Sequence, residues 1–336
     1  MMFTQRFPDY FDGVIAMAPA MRVSSGATIA AAWDSQALNA IAPQGADGKT
    51  ILSQAFTDGD LKVLGDGILD ACDANDGLKD GLVSHPAACK FDPAVLQCKV
   101  GKEPGCLSAQ QVGAVKKIFE GARDSSGKPL YFGWPYDAGV GHVRNDWRGW
   151  KLGTSTTAVP NSRHVFLMQD ALQGYFVTPP DRSLDIMKFN FDGDPVRMMA
   201  NSWIYDTAVD AKLTAYKTHG GKLLIAHGIA DPIFSPLESI DYYQRLKTEN
   251  GTSGPDFARL FLIPGMGHCQ GGAATDSWDG LQAMVDWVEK GEAPRQILAK
   301  GTAVFPERSR PLCPHPQYPH YKGSGPTEDA ASFECR

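Results

Sequence analysis

The sequence lacks long apolar runs, basic clusters and cysteine pairs at zinc-binding spacing. No apolar stretch approaches the roughly 18 residues needed to cross a bilayer, and no basic segment followed by an apolar one marks a signal peptide. A net charge of −6 without a basic cluster argues against nucleic acid as a partner. With 336 residues, 43% of them hydrophobic and 21% charged, the chain is expected to be globular, with one large domain or two.

Seven cysteines are present, and six of them flank three short intervals in segments rich in Gly, Pro and Asp. We predict three disulfides that staple local loops, which indicates an oxidising compartment, secreted or periplasmic. The alternative is a set of reduced, buried thiols. The predicted pairs are Cys72 with Cys89, Cys98 with Cys106, and Cys313 with Cys335. Cys269 is left over, and an odd thiol in an oxidised protein suggests a partner elsewhere.

Two apolar segments each end in a loop that carries a polar residue of catalytic type. Asp231 follows Leu-Leu-Ile-Ala-His-Gly-Ile-Ala, and His268 follows Leu-Phe-Leu-Ile-Pro-Gly-Met-Gly. The interval between them leaves room for one helix and one strand, so both should lie at the same end of adjacent parallel strands, where ligands bind in open α/β sheets. The order Asp then His is that of the last two members of the Ser…Asp…His triad of α/β-hydrolases. Taken singly, Asp231 could be a turn residue and His268 a core histidine, and for His227, inside the strand, we expect packing.

The first member of that triad is missing from the printed sequence. No Gly-x-Ser-x-Gly motif occurs, and the opening residues 1–20 resemble the middle of a domain. We therefore expect the chain to be a fragment, or the product of a misplaced gene start, that lacks the nucleophile and is inactive alone.

An acidic loop follows the first cysteine. Three aspartates separated by glycines suit a hard, oxygen-liganded cation such as Ca²⁺, although the spacing is not that of an EF-hand. The alternative is a solvated turn. The loop runs Cys-Asp-Ala-Asn-Asp-Gly-Leu-Lys-Asp-Gly-Leu over residues 72–82, with aspartates Asp73, Asp76 and Asp80.

The coarse pattern predicts an α/β fold in three parts. Strands are expected at 12–18, 223–226 and 260–263, with helices at 62–72, 112–122, 237–248 and 279–290. Residues 123–200 are rich in Gly, Pro and aromatic residues. The aromatic cluster at 131–176, with Arg144, Arg148 and Arg163, could form a lid that grips an aromatic substrate, although ordinary core is the commoner role of such residues. The predicted partition is 1–60 as partial core, 61–215 as an inserted domain and 216–336 as the core carrying Asp and His, with the last 30 residues as a wrapped tail.

The chain resembles the tannase and feruloyl esterase family, which includes esterases that act on polyester monomers. The likeness covers essentially the whole chain and is carried by segments 5–19, 70–82, 227–231, 259–272, 287–294 and 310–335. The combination of Pro-Gly-Met-Gly-His-Cys with the Pro-rich tail after Cys313 is specific. The resemblance implies an α/β-hydrolase fold with an inserted lid domain, an incomplete parallel sheet whose N-terminal strands are missing here, Asp231 orienting a general base His268, and a lid Ca²⁺ site.

The resemblance also implies a set of calcium ligands and a disulfide, and the chain departs from the family pattern in one respect. It implies that Ca²⁺ is held by side chains of Asp73, Asp76 and Asp80 and by carbonyls of Leu78 and Leu82. It implies a disulfide from Cys269 to a cysteine beside the nucleophile. The family's Cys-Ser-x-Gly-Gly elbow, expected about ten residues before residue 5, is absent. We therefore expect a serine carboxylic-ester hydrolase acting on small aromatic-acid esters of feruloyl or galloyl type, without nucleic-acid or membrane partners. The rivals are a non-catalytic, calcium-stabilised protein that binds an aromatic ligand, and a peptidase of the same fold.

Overall fold

A three-stranded parallel sheet lies under the candidate site. In this computed structural model, residues 1–142, 147–251 and 256–336 are described. The strands are β1 (Gly13–Met17), β2 (Lys222–Gly228) and β3 (Ala258–Ile263), hydrogen-bonded in that order. In register, Ile15 lies beside Leu224, which lies beside Arg259. The three predicted strands are therefore confirmed, and the parallel order places the ends of β2 and β3 at one edge.

Successive side chains of each strand point to opposite faces of the sheet, so a hydrophobic core forms on each face. Leu223, Ile225 and Leu260 pack into one cluster with Tyr242 and Tyr243. Residues one step along the strands, such as Leu224 and Phe261, pack into the other with Met284. Because helices cover both faces, the middle of β2 (residues 223–226) and most of β3 (residues 260–263) are apolar, as in other buried parallel sheets.

The flanking helices begin at recognisable caps. The helix over the first face starts after Ser235, whose hydroxyl accepts from Leu237 N–H, and the helix over the second starts after Asp279 and ends at Gly291 in the left-handed region. The helices are α1 (Met2–Arg6), α2 (Thr28–Asn39), α3 (Asp58–Cys72), α4 (Ala109–Glu120), α5 (Arg163–Gly174), α6 (Asp194–Tyr205), α7 (Thr214–His219), α8 (Pro236–Asn250) and α9 (Gly280–Lys290). The four predicted helices correspond to α3, α4, α8 and α9.

A third core, mostly helical, lies between β1 and β2 in the chain. It is built from α2, α3, α4 and α5 and contains Trp134, Trp147 and Phe176. Sequence periodicity missed α2, α5 and α6. Helix α2 is buried almost all round, so it has no polar face to reveal a helical repeat, and α5 leaves Phe166 and Leu167 exposed. Helix α2 joins this core although it precedes residue 61; the partition into three parts stays a prediction.

The C-terminal segment is more ordered than the predicted wrapped tail. It contributes β5 (Ile297–Lys300) and β6 (Ser309–Leu312) to an antiparallel sheet with β4 (Ser277–Trp278), and β7 (Pro319–Tyr321) pairs with β8 (Phe333–Cys335). The three predicted disulfides are present, and they join Cys72 to Cys89, Cys98 to Cys106 and Cys313 to Cys335. Among the described residues, Cys269 is the free cysteine. No helix in the described part of the chain is long and apolar enough to span a membrane.

Candidate active site

Asp231 and His268 meet at the carboxyl edge of the sheet. Asp231 lies in the turn after β2, His268 lies in the loop after β3, and β2 and β3 are neighbours. The Nδ1 atom of His268 is 2.8 Å from Oδ2 of Asp231. This is the hydrogen-bonded arrangement of a base and its orienting carboxylate, with the outer nitrogen of the imidazole left for a further partner.

Two glycines allow the loops to approach so closely. A Cβ atom on Gly228 would lie 2.3 Å from the carbonyl oxygen of Met266, and one on Gly265 would lie 1.9 Å from that of Ala273. Gly265 also has a φ of +69°, a region that glycine adopts without strain. Gly228 therefore allows the loop of His268 to lie against the end of β2, and Gly265 allows that loop to fold back on itself.

The carboxylate of Asp231 is fully buried and surrounded by donors. Its Oδ1 accepts hydrogen bonds from the backbone N–H groups of Ile233 (2.8 Å) and Phe234 (3.1 Å), and Oδ2 lies 3.4 Å from Nε2 of His227. Burial alone would raise the pKa of Asp231, but hydrogen bonds with His227 and His268 outweigh it and hold that pKa well below its usual range. Asp231 therefore remains an anion at neutral pH.

His227 has a polar role that its position inside β2 conceals. Its Nδ1 lies 2.7 Å from Oγ of Ser239, and its Nε2 lies 3.0 Å from the carbonyl oxygen of Phe234. Packing was the expectation for this residue. The structure instead connects it to the turn that carries Asp231, where it helps to fix the carboxylate.

His268 is partly exposed and flanked by aromatic rings. Its side chain is 27% exposed, and the rings of Phe234 and Trp150 meet the imidazole edge-on at centroid distances of 5.3 and 6.0 Å. Burial would lower the pKa of His268, but hydrogen bonds with Asp231 and Cys269 and the charge of Asp231 raise that pKa to about 10. Asp231 therefore stabilises the imidazolium form of His268, which is what the carboxylate does in a triad when the imidazole takes up a proton.

Cys269, next to His268, has a strained backbone. Its φ is +66°, which is uncommon for a residue with a side chain and usually occurs at functional sites. The cysteine is partly exposed. The loop therefore holds the thiol in a fixed position beside the imidazole.

The sequence analysis did not predict a buried ion pair that lies behind Asp231. The ammonium of Lys151 binds the carboxylate of Asp34, and both side chains are almost completely buried. Lys151 lies 4.3 Å from the ring centroid of Trp134, whose indole N–H donates to the backbone carbonyl of Asp231 (2.9 Å). Neither Asp34 nor Lys151 belongs to a recognisable motif, because their partners come from distant parts of the chain.

The predicted arginine and aromatic cluster is only partly assembled at the site. The guanidinium of Arg163 lies 5.3 Å from the ring centroid of Trp150. Arg148 binds Asp58 and the carbonyls of Ser53 and Phe56, so it has a structural role. Arg144 lies outside the described residues.

The acidic loop concentrates negative charge. Asp73 accepts hydrogen bonds from the backbone N–H groups of residues 80 and 81, Asp80 pairs with Arg310, and the buried Oδ2 atom of Asp76 has no hydrogen-bond partner. Burial raises the pKa of Asp76 to about 6, and the charges of Asp80 and Asp73 add to this. Within residues 1–142, 147–251 and 256–336, no group of three or more acidic, His or Cys side chains is arranged to hold a metal ion.

The donor chemistry of this loop nevertheless fits Ca²⁺. Carboxylate and carbonyl oxygens are the ligands that this ion prefers. The buried Oδ2 atom of Asp76, which lacks a hydrogen-bond partner, is an oxygen that a bound cation would satisfy. A complete shell would need the carbonyls of Leu78 and Leu82 in addition to the side chains.

Comparisons with known proteins identify esterases among the relatives of this chain. Mono(2-hydroxyethyl) terephthalate hydrolase of Piscinibacter sakaiensis is 41% identical over 375 residues, an alignment that covers 100% of this chain and 61% of that protein. A probable feruloyl esterase of Arthroderma benhamiae is 30% identical over 351 residues, with 100% and 61% covered. The chain thus spans about three-fifths of the length of these relatives.

A solved esterase structure has a similar fold. The crystal structure of feruloyl esterase B from Aspergillus oryzae superimposes with a TM-score of 0.80 at 26% identity, covering 100% of this chain and 66% of that one. The fold is therefore that of the α/β-hydrolases, as predicted. The family profile described as "Tannase and feruloyl esterase" matches residues 1–336. This chain belongs to the tannase and feruloyl esterase family.

Proposed function

We propose that the protein is a carboxylic ester hydrolase in which His268 is the general base and Asp231 its orienting carboxylate. The observation that carries the proposal is the 2.8 Å contact between His268 Nδ1 and Asp231 Oδ2 at the carboxyl edge of the sheet. That contact holds Nδ1 against Asp231 and leaves Nε2, in the neutral imidazole, as the atom that would take a proton from a hydroxyl nucleophile.

The chain supplies two of the three groups that the reaction needs. In the proposed mechanism a serine hydroxyl attacks the ester carbonyl while His268 takes its proton, and His268 then protonates the leaving alcohol. The printed sequence contains no Gly-x-Ser-x-Gly or Cys-Ser-x-Gly-Gly motif. The hydrogen bonds that the described residues give His268 go to Asp231 and Cys269. We therefore propose that the serine comes from sequence outside these 336 residues and that the chain alone is inactive.

The rings around His268 support an aromatic ester as substrate. Trp150 and Phe234 border the imidazole, and an aromatic acyl group could pack edge-to-face against either ring. The relatives described as a mono(2-hydroxyethyl) terephthalate hydrolase and a probable feruloyl esterase are named for esters of aromatic acids. The proposed substrates are accordingly small esters of aromatic acids of feruloyl or galloyl type.

Two further features belong to the proposal. Ca²⁺ would be held by Asp73, Asp76, Asp80 and the carbonyls of Leu78 and Leu82, where it would rigidify the acidic loop. Three disulfides support a secreted or periplasmic location, because such bonds persist in oxidising compartments. Cys269 is proposed to pair with a cysteine beside the nucleophile.

The experiment compares the 336-residue chain with the longest product of its gene, on methyl ferulate and on the ethylene glycol monoester of terephthalate. We expect hydrolysis by the longer protein, a loss of about 10³-fold or more in kcat for its His268→Ala variant, and no activity of the chain above its own His268→Ala control. A longer protein that binds these esters without hydrolysing them would instead support a non-catalytic binding protein. Turnover of amides rather than esters would support a peptidase.

A further inference from the structure

A second cavity lies behind the candidate active site. It encloses about 420 Å³, a volume in the range of small-molecule pockets. Its walls come from the segment after α3, from the turn around Trp134, from the start of α8 and from the tail residues 315–319. We call this cavity the rear pocket. His268, Trp150 and Phe234 do not line it, so the rear pocket is distinct from the space in front of the imidazole.

The walls of the rear pocket are held rigidly. Five of the lining residues are prolines, which restrict the backbone of three of the wall segments and the first turn of α8. The disulfide of Cys89 ties one wall to α3, and the disulfide between Cys313 and Cys335 ties the tail in place. Tyr318 exchanges both of its backbone hydrogen bonds with Arg336. A pocket built in this way exists before a ligand arrives, which lowers the ordering entropy that binding must overcome.

The residues that line the rear pocket favour the binding of an uncharged aromatic molecule. No lining residue among the described ones carries a carboxylate, ammonium or guanidinium group. Trp134, Tyr136 and Tyr318 offer aromatic surface, and the ring of Tyr318 stacks on His85 at 3.8 Å. A ligand carboxylate would have no cation to pair with in this lining, and its desolvation would oppose binding.

Two imidazoles provide the polar recognition. Burial lowers the pKa of both His85 and His315, and the positive charge of Lys247 lowers that of His315 further, so the neutral form of each ring is favoured at pH 7. His85 also has a hydrogen bond with the backbone of Asn75. A neutral imidazole has one donor and one acceptor nitrogen, which suits a hydroxyl or an amide oxygen.

We propose that the rear pocket binds a neutral aromatic small molecule bearing a hydroxyl or carbonyl group, at a site separate from the ester-hydrolysing centre. The rear pocket adjoins the candidate active site through Trp134, which lines it and donates to the backbone carbonyl of Asp231. Ile229, another lining residue, lies in the same turn as Asp231. A bound ligand would therefore contact Trp134, which is hydrogen-bonded to the backbone of Asp231.

The test is isothermal titration calorimetry of the folded chain with 4-hydroxybenzamide and with its charged isostere, 4-hydroxybenzoate. Neither compound is an ester, so the result does not depend on the proposed hydrolase activity. We expect saturable binding of the amide with one site, and binding of the anion at least tenfold weaker. Equal or tighter binding of the anion, or no binding of the amide, would overturn the proposal.

Variants of the lining residues test whether the amide binds in the rear pocket. Ala87→Trp fills the rear pocket from an exposed position, and Leu237→Trp fills it from the α8 wall. Each should weaken binding of the amide at least tenfold, whereas the matched control Ala94→Trp, an exposed alanine outside the rear pocket, should change it less than twofold. Trp150→Ala, which alters the space in front of His268, should also leave binding unchanged. Loss of binding in Trp150→Ala but not in the two filling variants would show that the amide occupies the candidate active site and would refute the proposal. Melting temperatures of all variants verify that they fold.

Discussion

Replacing Asp231 by Asn tests the electrostatics of the candidate site most directly. An Asn side chain can keep the hydrogen bonds from Ile233 and Phe234 but loses the negative charge that faces His268. The pKa of His268, now raised to about 10, should fall by at least about two pH units, because burial then acts with less opposition. Two units correspond to about 2.7 kcal/mol of lost stabilisation of the imidazolium.

The loss of stability should depend on pH with a definite sign. The folded pKa of His268 is raised above 6.5, so its contribution is complete below pH 6.5 and is lost as pH rises through about 10. The folded pKa of Asp231 is lowered below 3.8, so its contribution is present above that pH and is lost as pH falls through the folded pKa. The difference in unfolding free energy between wild type and Asp231→Asn should therefore be largest between pH 3.8 and 6.5. There it should lower the melting temperature by about 4 °C or more.

Histidine-selective NMR titration measures this pKa directly, and His268→Ala assigns the resonance. Asp137→Asn is the matched control. Asp137 is also buried, and its carboxylate accepts two backbone hydrogen bonds, from Gly139 (2.8 Å) and Gly265 (3.1 Å). Among the described residues, no imidazole is hydrogen-bonded to it. It should leave the titration of His268 unchanged. If His268 titrated at the same pH in wild type and in Asp231→Asn, or moved equally in Asp137→Asn, our account of the site would be wrong.

Four other outcomes are expected. Calcium should raise the melting temperature of the chain and EGTA should reverse this, with the effect abolished in Asp76→Asn; an unchanged melting temperature would argue against the ion. Cys72→Ser with Cys89→Ser should destabilise the chain by about 3 kcal/mol in denaturant titrations, because a short loop is freed, whereas an unchanged midpoint would mean that the bond is absent in solution. Because β1 is hydrogen-bonded only to β2 among the described strands and leaves Met17 41% exposed, the chain should self-associate, and Met17→Lys should reduce this in sedimentation experiments while Val95→Lys does not. In the longer protein, Trp150→Ala should raise KM for an aromatic ester at least fivefold more than for an acetate ester, and an equal change for both would exclude aromatic recognition by this ring.

The local pattern of the sequence predicted the strands of the parallel sheet and the three disulfides, because each of these features depends on residues that are close together in the chain. Apolar runs ending in glycine-rich loops indicated β2 and β3, and the order Asp231 then His268 indicated that they meet at one edge. Short cysteine intervals predicted the three disulfides. Helix α2 gave no such signal, because burial on all sides removes the polar face on which periodicity depends.

Contacts between distant segments could be read only from the tertiary structure. Lys151 pairs with Asp34 although neither residue carries a motif, and Trp150, which lies far from His268 in the chain, is placed beside its imidazole. The rear pocket likewise arises where four separate segments come together. The sequence by itself determined which groups can do chemistry, because residue type and local loop geometry are encoded nearby. Burial, charge pairing and cavity shape were decided by the fold, because they depend on which remote segments pack around each group.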